Sequence, residues 1–281
     1  MKMRKLTAVV LSVAMIGSIL TGCGAGANSA ITVVSREDGS GTRSAFTELV
    51  GVVEDDVDNT VATAEITNST SVMMTTIAGN ESAIGYISMG SLNDSVKAIK
   101  VDGVEATTDN VKSGNYKVSR PFQLCISKEG TTELAQDLID YILSDDGQTV
   151  IAEEGYISVV SGNTYEASDM EGKITVAGST SVAPVMEKLV EKYNELNPNV
   201  TIEIQQTGSG AGIESTTQGA CDIGMSSRAL KEAELVNLEE INIAMDGICV
   251  IVNNNSEIED LTADQIKDIY IGNITDWSEL Q

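Results

Sequence analysis

The sequence predicts an α/β protein, and composition and pattern both support this class. The 281 residues, of which 42% are hydrophobic, are enough to bury a core in one large or two medium domains. Aromatic residues make up only 4% of the chain and glycines number 25, which suits tight turns between strands and helices better than an aromatic-rich β-sandwich. Along the chain, strand patterns repeatedly lead into glycine-rich or hydroxyl-rich turns and then into helix patterns. Such an arrangement favours a sheet that binds ligands at the carboxyl ends of its strands.

The start of the chain has the form of a lipoprotein signal. A basic segment precedes an apolar run over residues 6–20, which is too short to span a bilayer comfortably. The run ends in LTGC, which resembles the bacterial lipobox, in which Cys23 receives a diacylglyceryl anchor; the alternative is a buried cysteine after an ordinary cleavage site. We predict a signal peptide at residues 1–22, a tether at residues 23–30, and an exported protein held on the outer face of the cytoplasmic membrane by a two-chain lipid.

Charge restricts the possible partners. The chain carries 17 Lys and Arg against 42 Asp and Glu, a formal net charge of −25, and loss of the basic signal peptide makes the mature chain more negative. Nucleic acid is therefore excluded as a partner. So negative a body also repels small anions at long range, so any anion site must be enclosed and act through short-range hydrogen bonds and local dipoles.

Histidine is absent from the whole sequence. This removes the commonest general base, the commonest metal ligand and every Ser-His-Asp or Cys-His arrangement. Most hydrolase functions are excluded on this ground, and we predict neither a metal nor a cofactor.

The cysteines that follow the lipobox predict buried free thiols. Cys125, Cys221 and Cys249 are odd in number, widely spaced and set in apolar stretches. A disulfide framework would require pairs.

The clearest local patterns are strand, turn and helix in succession. ITVVS is a strand candidate, and GTRSAFTELVGVV after it places residues 45, 46, 49, 50 and 53 on one helical stripe. KITVAGSTSVAPVMEKLVEKYNELNP repeats the plan, with a helix that Pro198 ends. VTIEIQQ predicts a half-buried strand, followed by the turn TGSGAG and a short helix. CDIGMSSRALKEAEL predicts a short strand, a Ser-Ser-Arg turn and another helix.

The other segments predict supporting structure. TADQ, beginning at Thr262, matches a capping box before a helix, and TTELAQDLIDYILSDDG reads as an amphipathic helix. RPFQLCIS and DGICVIVNNN are apolar strands, which we predict cross between two lobes.

The turns before the predicted helices contain the groups that bind oxyanions. Helix amino termini and turn amides carry partial positive charge, hydroxyls add directional donors, and a guanidinium binds two anion oxygens at once. Each turn alone also has an ordinary explanation, as a helix cap or a common glycine turn. The turns contain Thr180 and Ser181; Ser209; Ser226 and Ser227; and Arg36 with Ser40, Gly41 and Thr42.

A family resemblance covers nearly the whole mature chain. VAGSTSVAPVMEKLVEKY, QQTGSGAGI, CDIGMSSRAL, YIGNITDWSEL, VVSREDGSGTRSAF and SAIGYIS resemble successive signatures of the phosphate-binding lipoproteins of bacterial ABC phosphate importers. The resemblance implies a two-lobed periplasmic-binding-protein fold of the second type, with a mixed sheet in each lobe. It also implies that dehydrated phosphate lies in the cleft between closing lobes, and that the partners are the permease and ATPase components of the importer. We expect a monomer.

The resemblance assigns site residues motif by motif. It implies that Arg36 is the charged group and that Asp38 orients it. At the Ser-Ser-Arg turn, where many family members carry an aspartate that accepts the phosphate proton, this chain has Ser227. The implied donors are Thr180, Ser181, Ser209, Ser40, Gly41 and Thr42.

The serine at position 227 affects the expected selectivity for phosphate over sulfate. A carboxylate facing the ligand accepts a hydrogen bond from protonated phosphate and repels sulfate, which has no proton at neutral pH. A serine hydroxyl can accept or donate. We expect phosphate to remain the ligand, with sulfate rejection depending more on geometry.

The order of the signatures differs from that of the family. VAGSTS comes first there, whereas this chain begins with the second half and ends soon after DWSEL, as a circular permutation would. An assembly error over a repeated locus is the alternative. We predict a split lobe of residues 31–117 plus 253–281 and a continuous lobe of residues 118–252, with residues 161–172 as the linker between the ancestral ends.

Other functions remain open from the sequence. A phosphatase or phosphotransferase could use the same cradle, although no Walker lysine or metal-carboxylate cluster accompanies it. A binding protein, sensor or adhesin for another oxyanion could share the fold.

Overall fold

A computed structural model describes residues 29–168 and 170–280. The predicted signal peptide, Cys23 and the tether before Ser29 lie outside these residues. The predicted α/β class with a mixed sheet is confirmed.

Strands and helices alternate along most of the described chain. Short 3-10 turns also occur at Met89–Ser91 and Trp277–Leu280. The strands are β1 (Thr32–Arg36), β2 (Val53–Glu54), β3 (Val57–Asp58), β4 (Glu65–Thr67), β5 (Ala83–Ser88), β6 (Lys97–Val101), β7 (Ser119–Ser127), β8 (Ile157–Ser158), β9 (Gly172–Gly178), β10 (Val200–Gln206), β11 (Ile223–Ser226), β12 (Leu238–Val252) and β13 (Asp260–Leu261). The helices are α1 (Gly41–Leu49), α2 (Thr70–Gly79), α3 (Thr108–Lys112), α4 (Glu133–Ile142), α5 (Asp145–Glu153), α6 (Ala183–Leu196), α7 (Ser209–Thr217) and α8 (Ala263–Tyr270).

The main sheet runs through both lobes in the order β10-β9-β11-β7-β12-β5-β1-β4. Strands β10, β9 and β11 are parallel, β7 and β12 are antiparallel to their neighbours, and β5, β1 and β4 are again parallel. The turns that follow β1, β9 and β11 therefore lie at carboxyl ends of strands, where ligands bind in open α/β sheets.

Strand β12 connects the two halves of the sheet. Its residues 238–247 pair with β7, whereas residues 248–252 pair with β5 and β6. The change of partner comes directly after Gly247. One strand thus carries the backbone from one lobe into the other.

The two lobes have separate cores. One buried cluster draws its residues from Phe122 to Ala244, including the inner faces of α4 and α6. A second cluster contains residues from Val33 to Val118 together with Ile157 and residues from Ile248 to Tyr270. We call these the continuous lobe and the split lobe. The exact boundaries predicted above remain a proposal.

The ends of the described chain are neighbours in the split lobe. The N–H of Ile31 donates to the carbonyl of Thr275 (2.8 Å), and the N–H of Trp277 donates to the carbonyl of Ser29 (2.8 Å). Leu280 and Ile31 pack against the same core.

Most local predictions are confirmed. Thr262 and Gln265 form the capping box of α8, and α6 buries its apolar stripe as far as Tyr193. The predicted stripe of α1 is partly wrong, because the helix ends at Leu49, whose side chain is 44% exposed.

The helix predicted after the Ser-Ser-Arg turn is wrong. Residues 228–237 form turns that lead directly into β12. The Glu234 carboxylate accepts two hydrogen bonds from the Arg228 guanidinium (2.8 and 2.7 Å) and one from the N–H of Lys231 (2.7 Å). These bonds close the segment into a compact turn, and Arg228 is paired rather than solvated.

The predicted state of the cysteines is confirmed, since Cys125, Cys221 and Cys249 are free and buried. Across the described ranges, none of the helices combines the length and apolar character that a membrane crossing requires.

Candidate oxyanion site between the lobes

The split lobe contributes the turn between β1 and α1. Arg36 is the last residue of β1, and Ser40 caps α1 by accepting a hydrogen bond from the N–H of Arg43 (3.3 Å). The Tyr86 hydroxyl supports the turn by accepting from the N–H of Arg36 (3.1 Å). Burial raises the pKa of Tyr86 to about 12, so this phenol keeps its proton at neutral pH.

The continuous lobe contributes the turn between β9 and α6. The Ser179 hydroxyl accepts hydrogen bonds from the N–H groups of Ser181 (3.2 Å) and Val182 (3.3 Å). Because the Ser179 hydroxyl accepts these two N–H groups of the turn, the buried hydroxyls of Thr180 and Ser181 make other contacts.

Ser209 and Ser227 supply the other two predicted hydroxyls of the continuous lobe. Ser209 is the first residue of α7, and Ser227 directly follows β11. The N–H of Ser227 donates to the Ser209 hydroxyl (3.2 Å), and the two hydroxyl oxygens are 3.3 Å apart.

The two lobes meet through these side chains. The Arg36 Nη2 donates to Thr180 Oγ1 (3.2 Å), and Thr42 Oγ1 lies 2.9 Å from Ser181 Oγ. Gly41 faces Ser209 and Ser227 so closely that a Cβ at this position would collide with both hydroxyls. The structure therefore brings Arg36 and most of the predicted donors into one buried cluster between the lobes: Gly41, Thr42, Thr180, Ser181, Ser209 and Ser227. The Ser40 hydroxyl is also buried and contacts the N–H of Arg43 in the α1 cap.

Arg36 is paired with Glu37 and not with Asp38. Its Nε and Nη2 donate to the two Glu37 carboxylate oxygens (2.8 Å each). The expectation that Asp38 orients Arg36 is wrong for this structure: the Asp38 side chain is 97% exposed and accepts from Arg43 (2.8 Å). Asp38 lies in the turn after Arg36, where its carboxylate is directed to the surface of α1, while Glu37 folds back along the guanidinium. No described residue accepts a hydrogen bond from Arg36 Nη1.

Thr70 also lies in this cluster, although the motifs described above do not predict it. It is the first residue of α2, is 6% exposed, and its Oγ1 lies 3.3 Å from Thr180 Oγ1 and 3.4 Å from Ser181 Oγ. A signal was present in the sequence, because Ser69 to Val72 and Ser179 to Val182 share the tetrapeptide STSV.

A second buried guanidinium lies directly behind Ser227. Arg120, on β7, donates through Nε and Nη2 to Asp246 on β12 (3.2 and 3.1 Å) and through Nη1 to the carbonyl of Ser227 (3.1 Å). The Ser88 hydroxyl also donates to Asp246 (3.0 Å). Burial raises the pKa of Asp246 to about 6, although Arg120 and Ser88 act in the opposite direction. No local sequence pattern predicts this pair, because Arg120 and Asp246 are far apart in the chain.

The chemistry of the cluster is that of anion binding. It offers hydroxyl donors, helix starts and one guanidinium with an unused edge, which suits a compact oxyanion. Throughout the described chain, no group of three or more Cys, Asp or Glu residues could hold a metal ion. The hydroxyls face one another and the Arg36 guanidinium.

Comparison with known proteins identifies the family. A model described as a PBP superfamily domain matches residues 4–146 and 163–281. The chain is 47% identical to a protein named phosphate-binding protein PstS 2 from Streptococcus agalactiae, over 100% of this chain and 99% of the relative. This chain belongs to the PBP superfamily, among the PstS-like phosphate-binding proteins.

Two further relatives bear on the fold and the chain order. A crystal structure titled as the phosphate-binding protein of a phosphate ABC transporter from Streptococcus pneumoniae has a TM-score of 0.71 and 43% identity, covering 90% of this chain and 100% of that one. The predicted two-lobed fold is thereby confirmed. A phosphate-binding protein PstS from Staphylococcus haemolyticus is 34% identical over 48% of this chain and 47% of its own length.

Proposed function

We propose that this protein captures inorganic phosphate between its two lobes and delivers it to an ABC importer. The observation that carries the proposal is the convergence of the Arg36 guanidinium with hydroxyls from both lobes, in a chain whose full-length relatives are named phosphate-binding proteins. Phosphate would bind Arg36, Ser40, Gly41 and Thr42 of the split lobe and Thr180, Ser181, Ser209 and Ser227 of the continuous lobe.

Binding between lobes couples occupancy to closure. A ligand that contacts both lobes only when they are together shifts the population toward the closed form by its differential affinity. The closed form is then the state that a permease can distinguish from the empty protein. The role is binding and not catalysis, in keeping with a sequence that has no histidine.

Selectivity for phosphate over sulfate rests on Ser227 and its surroundings. The Ser227 hydroxyl can accept a hydrogen bond from protonated phosphate, while its backbone is held by Ser209 and Arg120. Isothermal titration calorimetry on the mature chain should give tight phosphate binding and weaker sulfate binding. Tight binding of sulfate with no binding of phosphate would overturn the proposed function.

Anchoring through Cys23 places the protein outside the cell on the cytoplasmic membrane. A monomer tethered in this way stays near its permease and ATPase partners. Cell fractionation tests the anchor: wild-type protein should remain with membranes and Cys23→Ala should be released or left unprocessed. Membrane retention of processed Cys23→Ala protein would contradict lipid anchoring.

The order of the chain is a rearrangement of the family's order. The continuous match to the Streptococcus agalactiae relative supports a natural order that relatives share, and the half-length match to the Staphylococcus haemolyticus relative supports a different order there. The paired chain ends near Ser29 and Trp277 support the same conclusion. A variant with residues 281 and 31 joined by a short linker and new ends opened within residues 161–172 should fold and bind phosphate with unchanged affinity.

A further inference from the structure

We infer that Thr70 is an additional phosphate-binding residue and the counterpart, in the split lobe, of Thr180 in the continuous lobe. This inference rests on the proposed function, since it adds a donor to the same site.

The first argument is a repeated local structure. Residues 69–72 and 179–182 have the same sequence, STSV, and each follows a strand of the main sheet. Ser69 Oγ accepts a hydrogen bond from the N–H of Val72 (3.2 Å), as Ser179 Oγ does from Val182 (3.3 Å). In both copies the first serine hydroxyl accepts from the N–H of the valine, so the threonine hydroxyl is not used for this bond. Ser69 is the N-cap of α2, whereas Ser179 lies in the turn before α6.

The second argument is the position of the two threonines. Thr70 Oγ1 and Thr180 Oγ1 face each other across the cleft at 3.3 Å, and both residues are buried. The equivalence stops there, because Ser71 is exposed whereas Ser181 is buried. Thr70 is therefore the member of the split-lobe copy that reaches the site.

The third argument is rigidity. The segment before α2 is fixed to the Arg36 turn, because Arg36 pairs with Thr67 in the parallel ladder of β1 and β4. The N–H of Glu37 also donates to the carbonyl of Thr67 (2.9 Å). Thr70 thus closely follows strand β4, which pairs with the strand that ends at Arg36.

The fourth argument concerns the strength of the present contacts. Thr70 Oγ1 lies 3.3 and 3.4 Å from its hydroxyl neighbours, longer than the 2.9 Å between Thr42 and Ser181. Hydrogen bonds between hydroxyls are commonly about 2.7–2.8 Å. A hydroxyl with only long neutral partners gains by donating to a charged phosphate oxygen, which forms stronger hydrogen bonds.

Calorimetry with inorganic phosphate on four proteins tests the inference. Thr70→Val keeps the shape and removes the hydroxyl, and we expect phosphate affinity to fall about 10-fold or more, as loss of a hydrogen bond to a charged group predicts. Thr70→Ser keeps the hydroxyl and should stay within about 3-fold of wild type. Thr75→Val, on the exposed face of α2 where Oγ1 bonds only to the Ser71 carbonyl, is the matched control and should not change affinity.

A second measurement separates direct binding from a role in closure alone. At saturating phosphate, small-angle X-ray scattering should give Thr70→Val the same compact radius as wild type, and a crystal structure of the wild-type complex should place Thr70 Oγ1 within hydrogen-bond distance of phosphate. If wild type binds phosphate and Thr70→Val binds equally well, the inference is wrong and the proposed function stands. If wild type itself binds no phosphate, the proposed function fails first.

Discussion

Within residues 29–168 and 170–280, two buried guanidinium groups lie close to the lobe interface, and their hydrogen bonds differ. Arg120 uses Nε, Nη1 and Nη2, on Asp246 and on the Ser227 carbonyl. Arg36 uses Nε and Nη2, while Nη1 has no acceptor within the described part of the chain. An arginine whose three nitrogens all donate to protein holds the structure together, whereas one with a free nitrogen can still bind an anion.

The carboxylates that pair with these two arginines differ in their exposure to solvent. The Asp246 side chain is fully buried, while the Glu37 side chain is 26% exposed. Removing Arg120 would leave a charge without solvent, but removing Arg36 would leave a carboxylate that water can reach. The first change should affect folding and the second should affect binding.

Replacing Arg120 should have the largest effect on stability. Arg120→Met leaves Asp246 buried without its partner and should lower the free energy of unfolding by about 3–5 kcal/mol. Urea unfolding at pH 7.5 measures this loss, with Arg36→Met as the matched variant. If the two variants lose equal stability, the distinction between the two arginines is wrong.

Replacing Arg36 should have the largest effect on binding. Arg36→Met removes the full positive charge of the site and should cost about 2–5 kcal/mol of phosphate binding, or about 30-fold to several thousand-fold in Kd. The unfolding free energy should change by less than about 1 kcal/mol, because the Glu37 carboxylate can reach water. Calorimetry gives the affinity, and wild-type affinity in this variant would remove Arg36 from the site.

The stability of the Arg120→Met variant should depend on pH differently from that of wild type. In wild type, Asp246 has a pKa of about 6, above the 3.8 of the unfolded chain. Its contribution to the free energy of unfolding therefore falls as the pH rises from 3.8 to about 6, and it is constant at higher pH. Loss of Arg120 raises this pKa further, so in the variant the fall continues above pH 6. The difference in the free energy of unfolding between wild type and the variant should therefore increase by up to about 1.4 kcal/mol per pH unit. Urea unfolding at pH 6, 7 and 8 checks this, and a constant gap would contradict it.

Replacing Asp38 should have the smallest effect. Asp38→Asn removes an exposed carboxylate that pairs with Arg43, so stability should change by no more than about 0.5 kcal/mol. Phosphate affinity should stay within about twofold on the same reasoning. Calorimetry on this variant tests the observed pairing. A large loss of affinity would mean that Asp38, and not Glu37, orients Arg36 when phosphate binds.

Local signals in the sequence predicted much of the fold. The strand before Arg36, the helix that starts at Gly41 and the capping box at Thr262 depend on residues within a few positions of one another, so they can be predicted without the rest of the chain. The helix predicted after Ser227 failed because Arg228 and Glu234 closed a turn instead. Helix periodicity alone does not show such a competing ion pair.

The sequence by itself determined the fold class, most of the strands and helix starts, and the arginine and the hydroxyls of the candidate site other than that of Thr70. Tertiary structure decided which carboxylate holds Arg36, brought Thr70 to Thr180, and placed Arg120 against Asp246 behind Ser227. The last two contacts join residues more than a hundred positions apart. They depend on how the strands are ordered in the sheet and on how closely the lobes approach, and no local pattern encodes either distance.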